Sequence, residues 1–371
     1  MRNTIPTARP TIGYEELKAI KRIIRGYWIG LGEEVLRFEE RLKKFFNMRN
    51  AVAVNSGTSA LHLTLDSFGI KNGDEVIVPS LTNPSPVQAI LHCNATPVFC
   101  DIETNTINLG IDDLRRKVTD KTKAIIPVHY NGIPSKIEEI NEITKSKDIV
   151  VIEDAAHAFG ATYNGKKLGT FGDASCFSFD PIKNISCLDG GVVLTNDDKI
   201  AELMRLKRGL GVTSTWDRYK GKKELVYDIS THGYRYQMSN INAAVGLVQL
   251  DKFDSFIKRK KEIVERYNES FKEIDGINFL DIDYENTPPF LYIIKVKKNR
   301  DDLMKFLGEK GIQTRVHFIP CHFHSLFKGY ASDLPNTEKV WEELLTLPLY
   351  YGMSDEDVAR VISGVTEWFK K

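Results

Sequence analysis

One lysine lies between two apolar segments, at a position where its amine could act as a nucleophile. Phe177–Phe179 has the composition of a strand, Lys183 follows in a loop interrupted by Pro181, and Gly190–Gly191 precedes a second apolar run. A lysine at a strand end in a desolvated pocket has a lowered ammonium pKa, and its neutral amine can form a Schiff base with an aldehyde. Taken alone, Lys183 is more simply a solvated residue on a connecting loop.

A second segment has the composition of a phosphate cradle. Residues 55–61 follow a short apolar strand and open a helix, and they include Gly57, Thr58 and Ser59. Small residues let the backbone approach an anion, free N–H groups at a helix start point at it, and the two hydroxyls add hydrogen bonds. A plain helix cap is the alternative. The segment matches neither a Walker loop nor a G-x-G-x-x-G turn, so ATP and dinucleotides are poorly supported.

A carboxylate follows the apolar strand predicted over 149–152. Ligands of α/β folds bind at this end of the strands, and a buried Asp154 needs a cationic partner. A protonated pyridine nitrogen would serve as this cationic partner. Ala156 is small enough to lie flat against a ring, and His157 could hydrogen-bond a ring hydroxyl. A capping aspartate and a satisfied core histidine are the alternatives.

The three segments together predict pyridoxal phosphate as the cofactor. They supply a phosphate cradle, a carboxylate for the ring nitrogen and a Schiff-base lysine, each at the end of a predicted strand. The protein would supply position and electrostatics, while the cofactor acts as the electron sink.

The order of the predicted elements indicates an α/β architecture. Between residues 50 and 195, short apolar strands alternate with amphipathic helices, which is typical of a mainly parallel sheet covered on both faces. The later part of the chain contains predicted helices over 242–274, 301–310, 337–345 and 354–369 and predicted strands over 290–296 and 314–318. We therefore predict a large cofactor-binding α/β domain over 1–250, which includes an N-terminal helical segment, and a smaller C-terminal α+β domain over 251–371.

Composition and charge are those of an ordinary soluble globular protein. The 371 residues include 51 basic and 50 acidic side chains, and the net charge of +1 gives no support for nucleic acid or an acidic membrane as a partner. The N-terminus lacks the apolar core of a signal peptide, and no apolar run reaches membrane-spanning length. Five scattered cysteines are typical of buried thiols in a reducing compartment. We therefore expect a cytoplasmic protein.

The motifs resemble those of the DegT/StrS family of sugar aminotransferases, which are fold-type-I pyridoxal phosphate enzymes. The resemblance runs from Gly13 to the C-terminal helix, and its motifs are Asn55–Thr58, Asp154–Ala158, Ser178–Phe179 with Lys183 and Gly190–Gly191, Met238 with Ala243–Ala244, and Leu347–Leu349. By this resemblance, Gly57, Thr58 and Ser178 hold the cofactor phosphate. Members of this family form homodimers with the active site at the subunit interface, and from the resemblance we expect the same here.

The same resemblance implies the remaining roles and the reaction. Asp154 pairs with the ring nitrogen, His157 contacts the ring hydroxyl, and Lys183 binds the cofactor aldehyde and shuttles protons. We expect an aminotransferase that moves an amino group from L-glutamate to a nucleotide-linked ketosugar, in amino-sugar biosynthesis for surface polysaccharides. One alternative is an aminotransferase or decarboxylase of the same fold that acts on a small phosphorylated ketone or amino acid. Another is a non-catalytic regulatory protein that binds pyridoxal phosphate.

Several positions depart from the family pattern, among them Asn83, Asp180 and Arg235. Asn83 replaces an aromatic residue that usually stacks on the cofactor ring, and Asp180 replaces a frequent histidine. Arg235 aligns with an asparagine that reaches the phosphate from the neighbouring subunit, and an arginine there could bind that phosphate or clamp an anionic substrate. We predict substrate contacts at Asn83, Asp180, Arg315 and His322, the last of which matches a family histidine near the substrate mouth.

A metal site is the alternative for the histidines and cysteine at 317–324. His317 stands on a predicted strand, apart from Cys321, His322 and His324. Cys321 and His322 are adjacent in the chain, which is poor geometry for two ligands of one metal ion. We therefore predict no metal.

Overall fold

The fold is that of a computed structural model, in which the described residues are 4–26, 28–213 and 227–370. The helices are α1 (Tyr14–Arg25), α2 (Glu33–Phe46), α3 (Gly57–Ser67), α4 (Ser85–His92), α5 (Ile111–Lys117), α6 (Ile137–Thr144), α7 (Asp198–Lys207), α8 (Asn240–Phe271), α9 (Arg300–Glu309), α10 (Pro335–Glu343) and α11 (Asp355–Phe369). The strands are β1 (Asn50–Val54), β2 (Glu75–Pro79), β3 (Thr96–Cys100), β4 (Thr122–Ile125), β5 (Val150–Asp154), β6 (Thr162–Tyr163), β7 (Lys166–Lys167), β8 (Ala174–Ser178), β9 (Gly191–Thr195), β10 (Ile277–Phe279), β11 (Tyr292–Val296) and β12 (Leu344–Leu347). Among these described helices, none combines the length and apolar character that crossing a bilayer requires.

A seven-stranded sheet forms the centre of the molecule, in the order β1-β9-β8-β5-β4-β2-β3. The pairings from β8 through β5, β4 and β2 to β3 are parallel. The strand β9 is antiparallel to both of its neighbours, β1 and β8. The predicted α/β fold with a mixed, mainly parallel sheet is therefore confirmed.

Hydrophobic layers cover both faces of this sheet. In β1 every residue is buried, and successive side chains point to opposite faces. Val52 and Val54 belong to the core beneath α3 and α4, whereas Ala51 and Ala53 pack with Phe38 and other apolar residues of α2. Burying one such valine stabilises the fold by about 1.5–3 kcal/mol, which explains why the strands are continuously apolar.

A second, antiparallel sheet in the order β10-β11-β12 lies in the C-terminal part of the chain. Its core includes apolar residues of α8, α9 and α11. The N-terminus joins this core, because Ile5 N–H donates to the Gly311 carbonyl at 2.8 Å and Gln313 N–H donates to the Ile5 carbonyl at 2.9 Å. The predicted domain boundary between residues 250 and 251 falls within α8, and this division stays a prediction.

In the C-terminal part, one predicted element and the end of another are wrong. The strand predicted over 314–318 is reduced to a single bridge between Arg315 and Thr346. The helix predicted over 337–345 ends at Glu343, and the next four residues form β12, which pairs with β11. A short apolar run fits a buried strand and a buried helix equally well, so its periodicity could not identify this strand.

Candidate active site

A cavity of about 350 Å³ lies at the carboxyl ends of β1, β2, β5 and β8. The predicted site residues that line it are Gly57, Thr58, Asn83, Asp154, Ala156, His157, Ser178, Asp180 and Lys183. The predicted residues that do not line it are Ser59, Arg235, Arg315 and His322. Parallel strands end at the same edge of a sheet, which brings together segments that are far apart in the chain.

The wall formed by the start of α3 is shaped for close approach of an anion. Ser56 caps the helix, and its Oγ accepts a hydrogen bond from Ser59 N–H at 3.0 Å. A Cβ atom at Gly57 would lie 2.9 Å from Ser178 Cβ, so the glycine allows the helix start to contact the end of β8. A Cβ atom at Gly191 would clash with the Ser56 carbonyl group. Gly57 and Thr58 line the cavity at this helix start, where backbone N–H groups point out of the helix, and Gly191 lets β9 pack closely behind them.

A chain of hydrogen bonds connects this cradle to the segment after β2. Thr58 Oγ1 donates to Ser85 Oγ at 2.9 Å, and Ser85 Oγ donates to Asn83 Oδ1 at 2.7 Å. Asn83 Oδ1 also accepts from Ser85 N–H at 3.0 Å. These bonds fix the orientation of the Asn83 amide, so its nitrogen is left to donate to a ligand.

Asp154 and His157 lie on the side of the cavity formed by the end of β5. Asp154 Oδ1 accepts from Ala156 N–H at 3.1 Å. Burial raises the pKa of the Asp154 carboxyl, and the Ala156 N–H and the charge of Lys183 oppose this effect. His157 Nδ1 accepts from Asn131 N–H at 3.4 Å, so Nε2 carries the proton of the neutral ring. Burial lowers the pKa of His157, and Lys183 and His317 lower it further.

Beneath this end of β5, a buried hydrogen bond between a histidine and a glutamate fixes the strand. His129 Nδ1 accepts from Ser135 N–H at 3.1 Å, and His129 Nε2 donates to Glu153 Oε2 at 2.8 Å. Both side chains of the pair are fully buried. Glu153 also accepts from the backbone N–H groups of Gly169, Phe171 and Gly172. The residue next to Asp154 therefore anchors β5 against two loops.

Lys183 faces the same space. Its Nζ lies 4.5 Å from the centroid of the Phe290 ring. Burial lowers the pKa of the Lys183 ammonium to about 8, although Asp154 and Asp180 act in the opposite direction. The loop that carries the lysine is held by Lys183 N–H, which donates to the Asp180 carbonyl at 3.0 Å, and by Ile182 N–H, which donates to Asp180 Oδ1 at 3.1 Å. The amine is thus positioned by a fixed turn and is easily deprotonated.

Four of the predicted site residues lie outside the active-site cavity. Ser59 Oγ donates to Asn55 Oδ1 at 2.7 Å, inside the turn that precedes α3. The side chains of Arg235 and Arg315 are exposed. His322 is buried outside the cavity.

His322 forms a separate polar cluster. Its Nδ1 pairs with Ser80 Oγ at 2.7 Å, and its Nε2 pairs with Glu338 Oε1 at 3.3 Å. His317 does not belong to this cluster, because its Nδ1 pairs with Thr346 Oγ1 at 2.9 Å. Over the described ranges, no group of three or more histidine, cysteine or acidic side chains could hold a metal ion.

The sequence interpretation missed three cavity residues from the C-terminal part of the chain, which are Phe290, His317 and Phe318. The His157 ring lies 4.5 Å from the Phe290 ring and 5.9 Å from the Phe318 ring, measured between centroids. Burial, Arg315 and Lys183 lower the pKa of His317 to about 4, so its ring is neutral at pH 7. The only sequence signal for this wall of the cavity was the pair His317 and Phe318, in a segment that an ordinary strand would also explain.

The cavity fits a phosphorylated pyridine aldehyde. The cradle at α3 suits a phosphate, the buried Asp154 carboxylate suits a cationic ring nitrogen, and Ala156 leaves room for a flat ring. Lys183 supplies an amine of lowered pKa for the aldehyde.

Comparisons with known proteins agree with this chemistry. Residues 10–366 match the model of the DegT/DnrJ/EryC1/StrS aminotransferase family. The chain is 39% identical over 372 residues to the uncharacterized protein MJ1066 of Methanocaldococcus jannaschii, covering 97% of this chain and 96% of that protein. It is 36% identical over 378 residues to the spore coat polysaccharide biosynthesis protein SpsC of Bacillus subtilis, covering 99% of this chain and 97% of that protein. The solved PLP form of the putative sugar aminotransferase Spr1654 from Streptococcus pneumoniae is similar with a TM-score of 0.91 and 30% identity, covering 99% of each chain.

Proposed function

The chain belongs to the DegT/DnrJ/EryC1/StrS aminotransferase family, and from this premise we propose that it transfers the amino group of L-glutamate to a nucleotide-linked ketosugar. The predicted family, fold type, pyridoxal phosphate cofactor and sugar aminotransferase activity are confirmed by the family match and by the similar structures. The two substrates are our proposal. Similarity to a protein of spore coat polysaccharide biosynthesis supports a product used in a surface polysaccharide.

When bound, pyridoxal phosphate supplies an aldehyde that takes up the amino group and a ring that withdraws electrons from the neighbouring carbon. We propose that Gly57, Thr58 and Ser178 hold its phosphate, with Ser59 completing the start of α3. The support for this role is the approach of the Gly57 backbone to Ser178, which leaves room for an anion at a helix N-terminus. Ala156 forms the flat wall beside the ring.

Asp154 and His157 are proposed to orient the ring. A buried carboxylate is costly without a cation, so Asp154 would favour the protonated ring nitrogen and would itself be kept ionised by it. His157 has its Nδ1 occupied by Asn131 N–H, which leaves Nε2–H to donate to the ring hydroxyl. Both side chains are held by buried backbone groups, so they are oriented before the cofactor binds.

Lys183 is proposed to bind the cofactor and to move a proton at its Nζ. A base that works near neutral pH needs a pKa close to that pH, and burial brings the pKa of Lys183 to about 8. Asp180 holds the loop that carries the lysine. We propose that Asp180 and the amide nitrogen of Asn83, which both line the cavity, contact the sugar substrate. Arg315 and His322 lie outside the cavity and are less suited to that role.

We also propose a homodimer in which Arg235 reaches the cofactor phosphate of the partner subunit. Arg235 does not line the cavity of its own chain, and its side chain is exposed. Its neighbours Tyr234 and Tyr236 stack on each other with centroids 4.8 Å apart and pack beside His62. Residues alternate in an extended segment, so Arg235 projects away from this packed side. The exposed apolar side chains of α1, including Leu17 at 59% exposure, support a subunit interface there.

The location of the reaction is proposed to be the cytoplasm. All five cysteines are free and buried, which suits a reducing compartment.

The observation that carries the proposed function is Lys183, an amine of lowered pKa that shares one cavity with a phosphate cradle and the Asp154 carboxylate. The test follows the two half-reactions separately. The cofactor-loaded protein is mixed with L-glutamate, and loss of the visible absorbance and release of 2-oxoglutarate are measured. The aminated protein is then mixed with a panel of nucleotide-linked ketosugars, and the return of the absorbance is measured.

Several outcomes of this test are decisive. We expect L-glutamate, rather than L-alanine or L-aspartate, to discharge the absorbance, and a nucleotide-linked ketosugar to restore it. Restoration by small phosphorylated ketones alone would replace the proposed acceptor. No change with any amino acid would contradict the proposed donor reaction, and the Lys183→Ala variant serves as the unreactive control.

A further inference from the structure

The long helix α8 lies against the loop that carries Lys183. In α8, Gln249 and Lys260 follow Asn242 by 7 and 18 positions, and at 3.6 residues per turn these spacings are about two and five turns. The three polar side chains therefore project from one face of the helix, and we call them the polar stripe. Residues 184–189, which follow Lys183, lie along this face and are hydrogen-bonded to it.

Two members of the polar stripe hold the backbone of this loop. Asn242 Nδ2 donates to the Cys187 carbonyl at 2.6 Å and to the Asp189 carbonyl at 2.9 Å. Gln249 Oε1 accepts from Ser186 N–H at 3.3 Å. The partners come earlier in the loop as the helix proceeds, so the loop runs antiparallel to α8. The third member of the stripe therefore meets the loop close to Lys183.

Lys260 holds the residue that follows the reacting amine. Its Nζ donates to Asn184 Oδ1 at 2.9 Å, and Asn184 Nδ2 donates to the Pro288 carbonyl at 3.5 Å. Asn184 is 5% exposed, so both ends of its side-chain amide are fixed inside the protein. Pro288 lies two positions before Phe290, the ring whose centroid is 4.5 Å from Lys183 Nζ. One buried amide therefore connects α8, the lysine loop and the segment that carries the facing ring.

The stability of the fold does not account for a lysine at position 260. The residue is 6% exposed, and burial lowers the pKa of its ammonium to about 8, so it is still largely protonated at pH 7. Among the residues that the structure describes, no carboxylate forms an ion pair with it. By contrast, the comparably buried Lys207 pairs with Asp66 Oδ2 at 2.7 Å. A buried charge without a counter-charge costs free energy, which an apolar side chain would avoid.

We propose that Lys260 is a positioning residue for Lys183: it fixes Asn184, and with it the direction in which the Lys183 amine enters the active-site cavity. The inference rests on the proposed role of Lys183 as the residue that binds the cofactor aldehyde. The backbones of the two loop residues are continuous, so a rotation at Asn184 changes the direction of the lysine side chain. Displacing a reacting group by about 1 Å can lower a rate by about 100-fold.

Two other roles of Lys260 give different expectations. If it acted only through its charge, its loss would change the pKa of Lys183 and hence the neutral fraction of the amine. If it only held the fold together, its loss would change the free energy of unfolding and leave the folded site reacting normally. A positioning role changes the reaction with a bound aldehyde while the neutral fraction of the amine stays the same.

The test compares two aldehydes on the cofactor-free, full-length protein at pH 7, with cyanoborohydride as the reductant. Formaldehyde is small and needs no binding site, so its rate of labelling at Lys183 reports the neutral fraction of the amine and access to it. Pyridoxal phosphate is bound before it reacts, so its rate at saturation depends also on the direction of the amine. The labelled Lys183 peptide is quantified by mass spectrometry.

The variants are Lys260→Met, Asn184→Ala, their combination and the control Lys258→Met, which removes an exposed ammonium from the same helix. We expect Lys260→Met and Asn184→Ala each to lower the saturating rate with pyridoxal phosphate by about 10-fold or more, with an unchanged half-saturating concentration and an unchanged formaldehyde rate. The double variant should lose no more than Asn184→Ala alone, because Lys260 acts through Asn184. Lys258→Met should react with both aldehydes as the wild type does.

The opposite results are equally clear. An unchanged saturating rate in Lys260→Met overturns the inference, and so does an equal change with both aldehydes. Additive losses in the double variant overturn it as well, because Lys260 would then not act through Asn184. If Lys260→Met does not fold, a normal rate in Asn184→Ala overturns it. A wild type in which formaldehyde labels Lys183 but pyridoxal phosphate does not refutes the proposed role of Lys183 and the inference with it, whereas normal labelling of every variant refutes the inference alone.

Discussion

The amine of Lys183 should become reactive at a pH far below that of an ordinary lysine, even before the enzyme turns over. Burial in the cavity lowers its pKa to about 8. A lysine in water has a pKa of about 10.4, so at pH 7 it is roughly 0.04% neutral, whereas an amine with a pKa of about 8 is roughly 10% neutral. The fraction of nucleophilic amine is therefore on the order of 200-fold larger at Lys183.

Reductive trapping measures this fraction directly. The cofactor-free protein is mixed with pyridoxal phosphate and borohydride between pH 6 and pH 10, and the modified Lys183 peptide is quantified by mass spectrometry. The initial rate should rise with pH and reach half of its maximum near pH 8, while free Nα-acetyl-lysine, the control, should rise near its own pKa of about 10.4. The neutral amine is the reacting form, which gives the sign of this dependence.

Substitution of a neighbour tests the physical cause. Asp154 raises the pKa of Lys183, because a nearby negative charge favours the ammonium. Asp154→Asn should therefore move the midpoint of the trapping profile to lower pH. A midpoint near that of free lysine would refute the burial of this amine, and an upward movement in Asp154→Asn would refute the charge argument.

Three further substitutions test parts of the site that support these residues. His129→Leu removes the buried hydrogen bond from His129 Nε2 to the Glu153 carboxylate, so it should lower the free energy of unfolding in urea by about 1.5–3 kcal/mol; a loss well below this range would contradict the importance of this hydrogen bond. Gly191→Ala places a Cβ against the Ser56 carbonyl group, so it should lower the free energy of unfolding by about 1–3 kcal/mol, measured by denaturation. It should also weaken cofactor binding, measured by fluorescence titration, and a normal cofactor affinity would contradict this close approach. Asn83→Ala removes the acceptor at the start of α4 and should lower the free energy of unfolding by about 1 kcal/mol, whereas Asn83→Asp, which keeps an acceptor, should be close to the wild type.

Much of the candidate site could be predicted from the sequence, because each cofactor motif is local. The small residues before α3, the carboxylate after β5 and the lysine after β8 each follow a strand within a few residues. Parallel strands bring their carboxyl ends to one edge, so the order of elements was enough to predict that Gly57, Asp154 and Lys183 share one cavity. The family follows from the same short motifs.

Local patterns were insufficient where one segment fits two structures. Leu344 and Leu345 were assigned to the preceding helix, yet they belong to β12, because β11 offers backbone partners for them. His317 was weighed as a metal ligand on a strand, but its ring lies in the active-site cavity beside Phe318. These outcomes depend on which partner lies opposite a residue, and the residue types alone do not specify that partner.

The sequence by itself determined the class of chemistry: a phosphate cradle, a carboxylate and a lysine at strand ends, and hence the pyridoxal phosphate cofactor and the aminotransferase family. Only the tertiary structure decided what surrounds the amine. It placed the Lys183 amine over the ring of Phe290 and in the same cavity as Asp154 and His317. The physical reason is that burial arises from packing between distant segments, whereas the nucleophile, its turn and its strand are encoded by neighbouring residues.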